Sequence, residues 1–228
     1  MAESNIEKAW AAYEAAERDR IRDVSLARLR DLIGLLKSLP EAQWFEWARS
    51  LSRQSVDEGL TIPVRMPLFR EVLFPSLHAG LQDREQGCAR WLAGFSQLLC
   101  QSDQCRSQLS RDHQSETGLL REALAVDPDD ARARSMLIKA LRWRLEYSLH
   151  ELPAGVLYEQ DAATIEQCRD LQNELDEFEN LAAVHGVFAE HKDLIAACRY
   201  HYETYPAYLA KSSEFRSYEH YLAQTSEG

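Results

Sequence analysis

Apolar residues recur at helical spacing along almost the whole chain, and this periodicity is the feature that most restricts its fold. Between residues 21 and 37 no strand signal is present, and apolar side chains follow one another mostly at steps of three and four. They are Ile21, Val24, Leu29, Leu32, Ile33 and Leu36. Such spacing predicts one apolar face of an amphipathic helix. Elsewhere, runs of alternating β-branched residues and Asn-Gly or Asp-Gly hairpin turns are missing, so strands are not expected.

Proline and glycine residues divide this pattern into successive helices. Pro40 is expected to end the first of these helices, and Gly59 the second. Pro63 and Pro67 are expected to keep residues 60–66 extended, and Pro75 predicts a kink or a division in the helix that follows. Residues 101–117 are polar and fit a short helix with a loop. Further helices are expected over about 84–100, 161–183, 191–205 and 213–223, with a break at Pro153 and Gly155.

A helical hairpin is expected where the sequence reads ALAVDPDDARARS. One helix ends at Val126, the chain turns through the four residues DPDD, and a long second helix begins. Asp127 can precede a turn, and Pro128 fixes the backbone angle φ that the turn needs. Asp129 or Asp130 can cap the amino terminus of the second helix.

The same hairpin resembles part of a tetratricopeptide repeat. Ala123 and Leu124, followed by the turn Asp127-Pro128, match the alanine-leucine pair and the Asp-Pro turn of that family, and Leu137 matches the apolar residue of the next helix. The resemblance covers about residues 119–141, and no second copy occurs about 34 residues away. It implies a helical hairpin in a scaffold that binds peptides or proteins.

Taken together, these signals predict an all-α fold. We expect a multi-helix bundle or a TPR-like helical array of about eight to ten helices. Residues 1–228 are interpreted as a single all-helical domain, with a possible subdivision near residue 113, where the polar stretch could form a hinge.

Composition indicates a cytoplasmic protein. The 228 residues are 45% hydrophobic, with a mean hydropathy of −0.44, and no run of ~18 apolar residues predicts a membrane helix. The amino terminus is polar and acidic from the third residue, unlike a secretory signal. The chain has five scattered cysteines, without a CxxC motif: Cys88, Cys100, Cys105, Cys168 and Cys198. An odd number in this arrangement favours reduced thiols.

Negative charge is concentrated in the last third of the chain. Residues 1–150 hold 22 acidic and 21 basic side chains, whereas residues 151–228 hold 15 acidic and 5 basic ones. The net charge of −11 therefore comes almost entirely from the second segment. An acidic surface repels the phosphates of nucleic acids and attracts a basic protein, so a basic partner is expected and direct nucleic-acid binding is not.

The acidic residues of the segment CRDLQNELDEFENL form the main candidate site. Leu171, Leu175 and Phe178 are expected to form a buried stripe at steps of four and three. Asp170, Glu174 and Glu177 repeat these steps one residue earlier, so they predict a flanking row of carboxylates, which Asp176 and Glu179 extend. A solvated face that only aids solubility is the alternative to a docking surface for a basic partner.

Tyrosines are frequent in the segment that follows. Residues 199–222 contain six of them, and tyrosine suits protein interfaces because it combines apolar area with a polar tip. Tyr202 is assigned to the partner-binding surface, while Tyr205 and Tyr208 could share a buried face with Leu209. A core role for these tyrosines and a homodimer contact stay open.

No catalytic or metal site is expected. His150 and Glu151 adjoin a helix end, but Ala154 stands where a zinc protease would place its second histidine. Cys198 and His201 share a helix face, with His185 and His191 near in sequence, yet one such pair does not define a zinc site. GxGxxG, GxxxxGK[ST] and GxSxG motifs do not occur, and no cofactor is expected.

These observations predict a non-enzymatic, cytoplasmic protein-binding module. Its most specific form is an immunity protein that neutralises a basic toxin through an acidic docking surface. The first alternative is a TPR-like helical adaptor or scaffold that binds peptides in a groove lined by residues 119–149. The second alternative is an enzyme or a protein that binds a small ligand.

Overall fold

The computed structural model describes residues 2–152 and 164–225, and in this part of the chain it contains helices and no strands. The all-α prediction is confirmed, with twelve α-helices in the described residues. None of these helices combines the length and the apolar composition needed to cross a membrane. Contacts between Cα atoms divide the chain into two compact units, Met1–Ala133 (unit 1) and Arg134–Gly228 (unit 2). The single domain with a subdivision near residue 113 stays a prediction.

Unit 1 contains eight helices, which pack in the order of the chain. Helix α1 runs beside α2, α3 lies against α4 and α5, and α8 packs on α5. Helix α4 combines Met66–Leu68, the π-helical turn Phe69–Leu73 and Phe74–Gln82. The other helices are α1 (Ala2–Arg18), α2 (Arg22–Lys37), α3 (Glu41–Val56), α5 (Cys88–Gly94), α6 (Ser96–Cys100), α7 (Asp103–Arg106) and α8 (Glu116–Val126).

Helix α1 is anchored to the extended segment after α3. It buries Ile6, Tyr13 and Ala16, which lie at helical spacing. The Tyr13 hydroxyl donates a 2.7 Å hydrogen bond to the Pro63 carbonyl. The Arg65 guanidinium donates two hydrogen bonds, of 2.6 and 2.8 Å, to the Glu17 carboxylate. Burial, with the nearby Glu17 charge, raises the pKa of Tyr13 to about 12.

The apolar face of α2 is shorter than the sequence pattern predicted. Ile21 and Val24 are exposed, by 53% and 43%. The buried stripe runs through Ser25, Leu29, Leu32, Ile33 and Leu36. Val24 lies one residue before Ser25, and successive helical residues are about 100° apart. This rotation takes Val24 off the buried face, and Ile21 precedes the first helical residue.

Pro75 lies inside a continuous helix and not at a division. Proline has no amide hydrogen, so a regular α-helix would leave the carbonyl four residues earlier without its usual partner. Here the π-helical turn Phe69–Leu73 comes directly before Phe74, and the helix then runs on to Gln82. A π turn is one of the common ways in which a helix absorbs such an interruption. The helix expected over 84–100 is divided instead, at Phe95.

The DPDD turn forms as the sequence predicted. The Asp127 carboxylate accepts a 3.1 Å hydrogen bond from the Asp129 amide, and the Asp130 amide donates a 3.1 Å hydrogen bond to the Asp127 carbonyl. The Asp130 carboxylate accepts a 2.9 Å hydrogen bond from the Ala133 amide. Asp130 is thus the residue that caps the start of α9 (Ala131–Glu151).

Arg90 connects this turn to the end of α3 through a nearly buried ionic cluster. Its guanidinium donates hydrogen bonds of 2.9 and 2.8 Å to the Asp57 carboxylate and forms a close ion pair with Asp130. The Trp91 indole donates a further 2.8 Å hydrogen bond to Asp57. Burial alone would raise the pKa of Asp57, but the hydrogen bonds from Arg90 and Trp91 outweigh it and lower that pKa.

Unit 2 consists of most of α9 and three further helices. Helices α10 (Ile165–Val184) and α11 (Phe188–Leu209) form a hairpin, and α12 (Tyr218–Thr225) packs on α11. Thr164 begins α10 with a capping box, in which its hydroxyl and the Gln167 side chain each bond the other residue's amide. The predicted break at Pro153 and Gly155 and the predicted helix start near Asp161 lie outside the described residues.

Candidate functional site

The buried stripe of α10 lies where the sequence predicted it. Leu171, Leu175 and Phe178 are at most 1% exposed, and Cys168 and Ala182 continue the stripe in both directions. This face is held against α11 of the same unit. The stripe fixes the rotation of α10 about its axis and therefore decides which carboxylates face outward.

An acidic ridge runs along one flank of this stripe. We use that name for Glu166, Asp170, Glu174 and Glu177, which follow one another at steps of four, four and three and so share one side of α10. Glu166 and Asp170 are exposed, whereas Glu174 and Glu177 are partly buried. The ridge predicted from the sequence is thus one continuous row, and Glu166 lengthens it by one turn.

The central carboxylate of the ridge is neutralised within unit 2. Arg144 on α9 approaches Glu174 with Nε 3.0 Å from one carboxylate oxygen and Nη2 2.7 Å from the other. The side chain of Glu174 is only 15% exposed. This two-point ion pair shows that Glu174 holds α10 against α9, so this carboxylate is not free for an external basic partner.

Asp176 and Glu179 do not extend the ridge. Asp176 is two residues from Glu174, which corresponds to about 200° around the helix axis. Both carboxylates lie on the other flank of the stripe and pair with Arg199 on α11, Asp176 at 3.3 Å and Glu179 at closer range. Burial alone would lower the pKa of Arg199, but these two carboxylates raise it. The predicted extension is therefore wrong because it ignored the helical rotation.

Tyr202 is not a surface residue. Its side chain is 0% exposed, and its hydroxyl forms a close hydrogen bond with the Ser148 hydroxyl, which in turn donates a 2.8 Å hydrogen bond to the Leu145 carbonyl. The assignment of Tyr202 to the partner-binding surface is wrong, because its place on α11 turns it toward the core. It satisfies buried polar groups there.

Two exposed carboxylates of the ridge have no partner among the described residues of unit 2. Across the described residues, neither Glu166 nor Asp170 forms an ion pair, and neither side chain accepts a hydrogen bond. Helices α10 and α11 together carry nine acidic and three basic side chains. Their surface therefore keeps a negative potential that the internal ion pairs do not cancel.

The other titratable candidates, among the described residues, do not form a group that could hold a metal ion. His150 is 82% exposed and lies 4.0 Å from Glu151. Cys198 is buried, and burial raises the pKa of its thiol to about 11 despite a hydrogen bond from Tyr202. Burial also lowers the pKa of His201, whose ring bonds the Tyr218 hydroxyl at 2.9 Å. Among the described residues no group of histidines, cysteines and carboxylates is arranged to hold a metal ion.

Most tyrosines of α11 and α12 belong to an aromatic cluster within unit 2. Tyr205 and Tyr218 are buried, with ring centroids 4.7 Å apart in an edge-to-face arrangement. Tyr208 contacts both rings, and burial raises the pKa of Tyr205 to about 12. Tyr200 is 49% exposed. A homodimer contact through this segment stays a prediction.

The alternative of a peptide groove depended on side chains that the structure buries. Leu137 and Leu141 on α9 are 1% and 0% exposed, so neither lines an open groove. An adaptor that binds peptides beside these residues would need another surface.

Two features were missed by reasoning from sequence. Trp143 on α9 is 64% exposed and stacks on Tyr147, with ring centroids 5.5 Å apart. Its position, off the stripe of Leu141 and Leu145, was a signal that could have revealed it. The second feature is a cleft between α1 and α3 in unit 1, where Trp10 and Trp47 meet. The helical spacing of Ile6, Trp10 and Tyr13 was the corresponding signal there.

Comparisons with protein-family models, with curated proteins and with solved structures find no match to this chain.

Proposed function

We propose that this chain is a non-enzymatic, cytoplasmic protein-binding module, and that the acidic ridge of α10 binds a basic protein. The observation that supports this function best is the pair of exposed carboxylates at the start of the ridge, Glu166 and Asp170, which have no partner in the part of the chain that the structure describes. Like charges at this spacing destabilise a helix by roughly 0.2–0.5 kcal/mol. A basic partner removes that cost when it binds.

The most specific form of the proposal is an immunity protein that neutralises a basic toxin. The excess of acidic over basic side chains on α10 and α11 supports it, because a concentrated negative surface speeds the approach of a positively charged protein. The same potential disfavours nucleic acids. An inhibitor that must capture a toxin before it acts gains directly from fast association.

The state of the cysteines supports a cytoplasmic location. All five are free, and Cys100 is exposed while the other four are buried. Cys105 is near Cys100 in sequence but is 1% exposed. Exposed free thiols persist in reducing compartments, whereas oxidising compartments favour disulfides.

The first test is capture of the partner from the native cell lysate at low and at high salt, with identification by mass spectrometry. We expect one basic protein that is captured at low salt, and the captured amount should be smaller at high salt. The captured protein, purified, should form a one-to-one complex with the chain and should lose its toxic activity in that complex. A partner that stays active in the complex would contradict the immunity function.

A charge-reversal variant tests the ridge itself. In Glu166→Lys/Asp170→Lys the charge changes at two exposed residues without any internal ion pair, so folding should be retained. The association rate with the basic partner should fall by at least about tenfold. Glu190→Lys/Glu219→Lys makes the same change at exposed residues of α11 and α12. Equal slowing by both variants would mean that only the net charge matters, and the ridge would lose its assigned role.

A further inference from the structure

The cleft between α1 and α3 has features of a binding site for a cationic side chain. Its volume is about 560 Å³, within the usual range for pockets that hold small ligands. It lies wholly within unit 1. Ten residues line it: Ile6, Glu7, Trp10, Leu39, Gln43, Glu46, Trp47, Ser50, Leu51 and Gln54.

Two tryptophans form the aromatic part of the cleft. The rings of Trp10 on α1 and Trp47 on α3 meet edge to face, with centroids 5.6 Å apart and an interplanar angle of 76°. Both side chains are half-buried, so each ring keeps part of its surface open. The face of an indole carries negative electrostatic potential and attracts cations, more strongly than the rings of tyrosine or phenylalanine.

The polar part of the cleft is acidic and has no internal partners. Across residues 2–152 and 164–225, no hydrogen bond or ion pair engages the side chains of five lining residues. They are Glu7, Gln43, Glu46, Ser50 and Gln54. Four of these, Gln43, Glu46, Ser50 and Gln54, follow the helical spacing of α3 and so lie on one side of the cleft. The described lining contains two carboxylates and no lysine or arginine.

The cations of α3 are occupied elsewhere. Arg49 and Arg53 line a second cleft, which Trp91 also borders and which shares Glu46 and Ser50 with the first one. Arg49 pairs with Glu85 at 2.5 Å, and Arg53 lies 3.6 Å from Glu58. Neither arginine forms an ion pair with Glu7 or Glu46 among the described residues, so a cation from outside the chain would complement these two carboxylates.

We propose that the α1–α3 cleft binds the guanidinium side chain of an arginine in a protein segment. A guanidinium is planar, stacks on indole faces and presents five N–H donors, which suits carboxylate and amide acceptors better than an ammonium does. The aliphatic stem of arginine packs on the apolar lining that Ile6, Leu39 and Leu51 provide. This inference goes beyond the proposed function, because it rests on unit 1 and does not depend on the acidic ridge.

The test uses the full chain and N-acetyl-arginine amide, whose blocked ends isolate the side chain. The probe should shift the indole N–H signals of Trp10 and Trp47 in nuclear magnetic resonance spectra, with a dissociation constant of about 1 mM. N-acetyl-citrulline amide has nearly the same shape without the charge and should bind at least about tenfold more weakly. Equal binding of the two probes would overturn the proposal.

Variants and related probes separate the remaining outcomes. Glu7→Gln/Glu46→Gln should weaken the arginine probe by about tenfold, whereas Glu14→Gln/Glu41→Gln, which makes the same charge change on α1 and α3 outside the cleft, should not. N-acetyl-lysine amide should bind more weakly than the arginine probe, and equal affinity would remove the preference for guanidinium. If free L-arginine bound more tightly than a short peptide with one arginine, the proposal that the bound arginine belongs to a protein segment would be wrong.

The outcomes are independent of those for the ridge. Loss of arginine binding in the cleft variant, with unchanged association of the basic partner, would support the cleft alone. Slower association of the basic partner in Glu166→Lys/Asp170→Lys, together with no detectable arginine binding in the cleft, would support the ridge alone. Unchanged signals of Trp10 and Trp47 at roughly ten times the expected dissociation constant would overturn the cleft proposal and leave the ridge proposal intact.

Discussion

Each unit contains an arginine that binds two carboxylates, nearly buried in unit 1 and exposed in unit 2. In unit 1, Arg90 is 12% exposed and binds two carboxylates, Asp57 and Asp130, of which the second is 5% exposed. In unit 2, Arg199 is 44% exposed and pairs with Asp176 and Glu179 on the surface. Because ion pairs of similar composition are nearly buried in one unit and exposed in the other, net charge alone does not locate a docking surface. The Arg90 cluster is part of the internal structure of unit 1, whereas the Arg199 pairs of unit 2 lie at the solvent.

The largest expected effect comes from breaking the buried cluster. Arg90→Met would leave Asp57 and Asp130 without their counter-ion, and removing one partner of a buried ion pair costs about 3–5 kcal/mol. We expect a loss of this order in the free energy of unfolding of unit 1. The measurement is urea denaturation followed by tryptophan fluorescence in a Trp143→Phe background, because the four other tryptophans all lie in unit 1.

A matched substitution in unit 2 serves as the control for this experiment. Arg199→Met removes an arginine that also binds two carboxylates, but at the surface, so the cost should stay within about 1 kcal/mol. The stability of unit 2 is followed by thiol labelling of its buried cysteines, Cys168 and Cys198. Losses of similar size for both variants would contradict the expected difference between the nearly buried pairs of Arg90 and the exposed pairs of Arg199.

The helical order was predictable from the sequence to a large extent, and the position of charges much less so. Leu171, Leu175 and Phe178 form the expected buried stripe because residues spaced by three and four positions lie on the same face of a helix. The partner of Glu174 was not predictable, since Arg144 lies 30 residues away and meets it only after folding. The rotation that separates Asp176 from Glu174 could have been derived from helix geometry alone.

Helix α1 shows the other limit of sequence reasoning. No helix was predicted here from the sequence, although its buried residues Ile6, Tyr13 and Ala16 lie at helical spacing. The helix is fixed by contacts that are distant in sequence, such as the Tyr13 hydroxyl with the Pro63 carbonyl, 50 residues away. The spacing of Ile6, Trp10 and Tyr13 could have indicated the inner face of α1, but its packing against α3 could not be derived from local pattern.

The ionic cluster of Arg90, Asp57 and Asp130 should make the stability of unit 1 depend on pH in acid. The pKa of Asp57 is lower in the folded chain than its ordinary value, so the folded state binds the proton less readily than the unfolded state does. The stability that Asp57 contributes is fully present above the pKa of an unfolded aspartate, about 3.9, and is lost as the pH falls through the lower folded pKa. The urea midpoint of unit 1 should fall steeply in this acidic window.

The variant Asp57→Asn provides the comparison for the acid experiment. It should be less stable than the native chain near neutral pH, because it loses the charge-assisted bonds from Arg90. Its urea midpoint should also depend less on pH in the acidic window. An unchanged slope in Asp57→Asn would show that other carboxylates dominate the acid response of unit 1.

A smaller effect is expected from salt on the surface pairs of unit 2. The exposed pairs of Arg199 with Asp176 and Glu179 should contribute roughly 0.2–1 kcal/mol. At about 1 M salt the Debye length falls to about 3 Å, so this contribution should largely disappear. We expect Arg199→Gln and the native chain to differ in stability at low salt and to converge at high salt. A difference that persists would indicate that Arg199 acts by packing.

The smallest expected differences are in local opening, and cysteine labelling measures them separately in unit 1 and unit 2. Cys100 is exposed and should react at once with a thiol reagent, so a Cys100→Ser background is used. Burial raises the pKa of the Cys88, Cys168 and Cys198 thiols to about 11. Because the thiolate is the reactive form, these cysteines should react only when the structure around them opens.

Labelling then reports each unit separately, because Cys88 lies in unit 1 and Cys168 and Cys198 lie in unit 2. In Arg90→Met we expect faster labelling of Cys88, since the destabilised unit opens more often, while Cys168 and Cys198 keep their native rates. Arg199→Met should at most raise the rates of the unit 2 cysteines slightly. Mass spectrometry of the labelled peptides measures each rate. Equal acceleration of all buried cysteines in Arg90→Met would mean that the chain opens as one cooperative body, because a local opening of unit 1 cannot expose the thiols of unit 2.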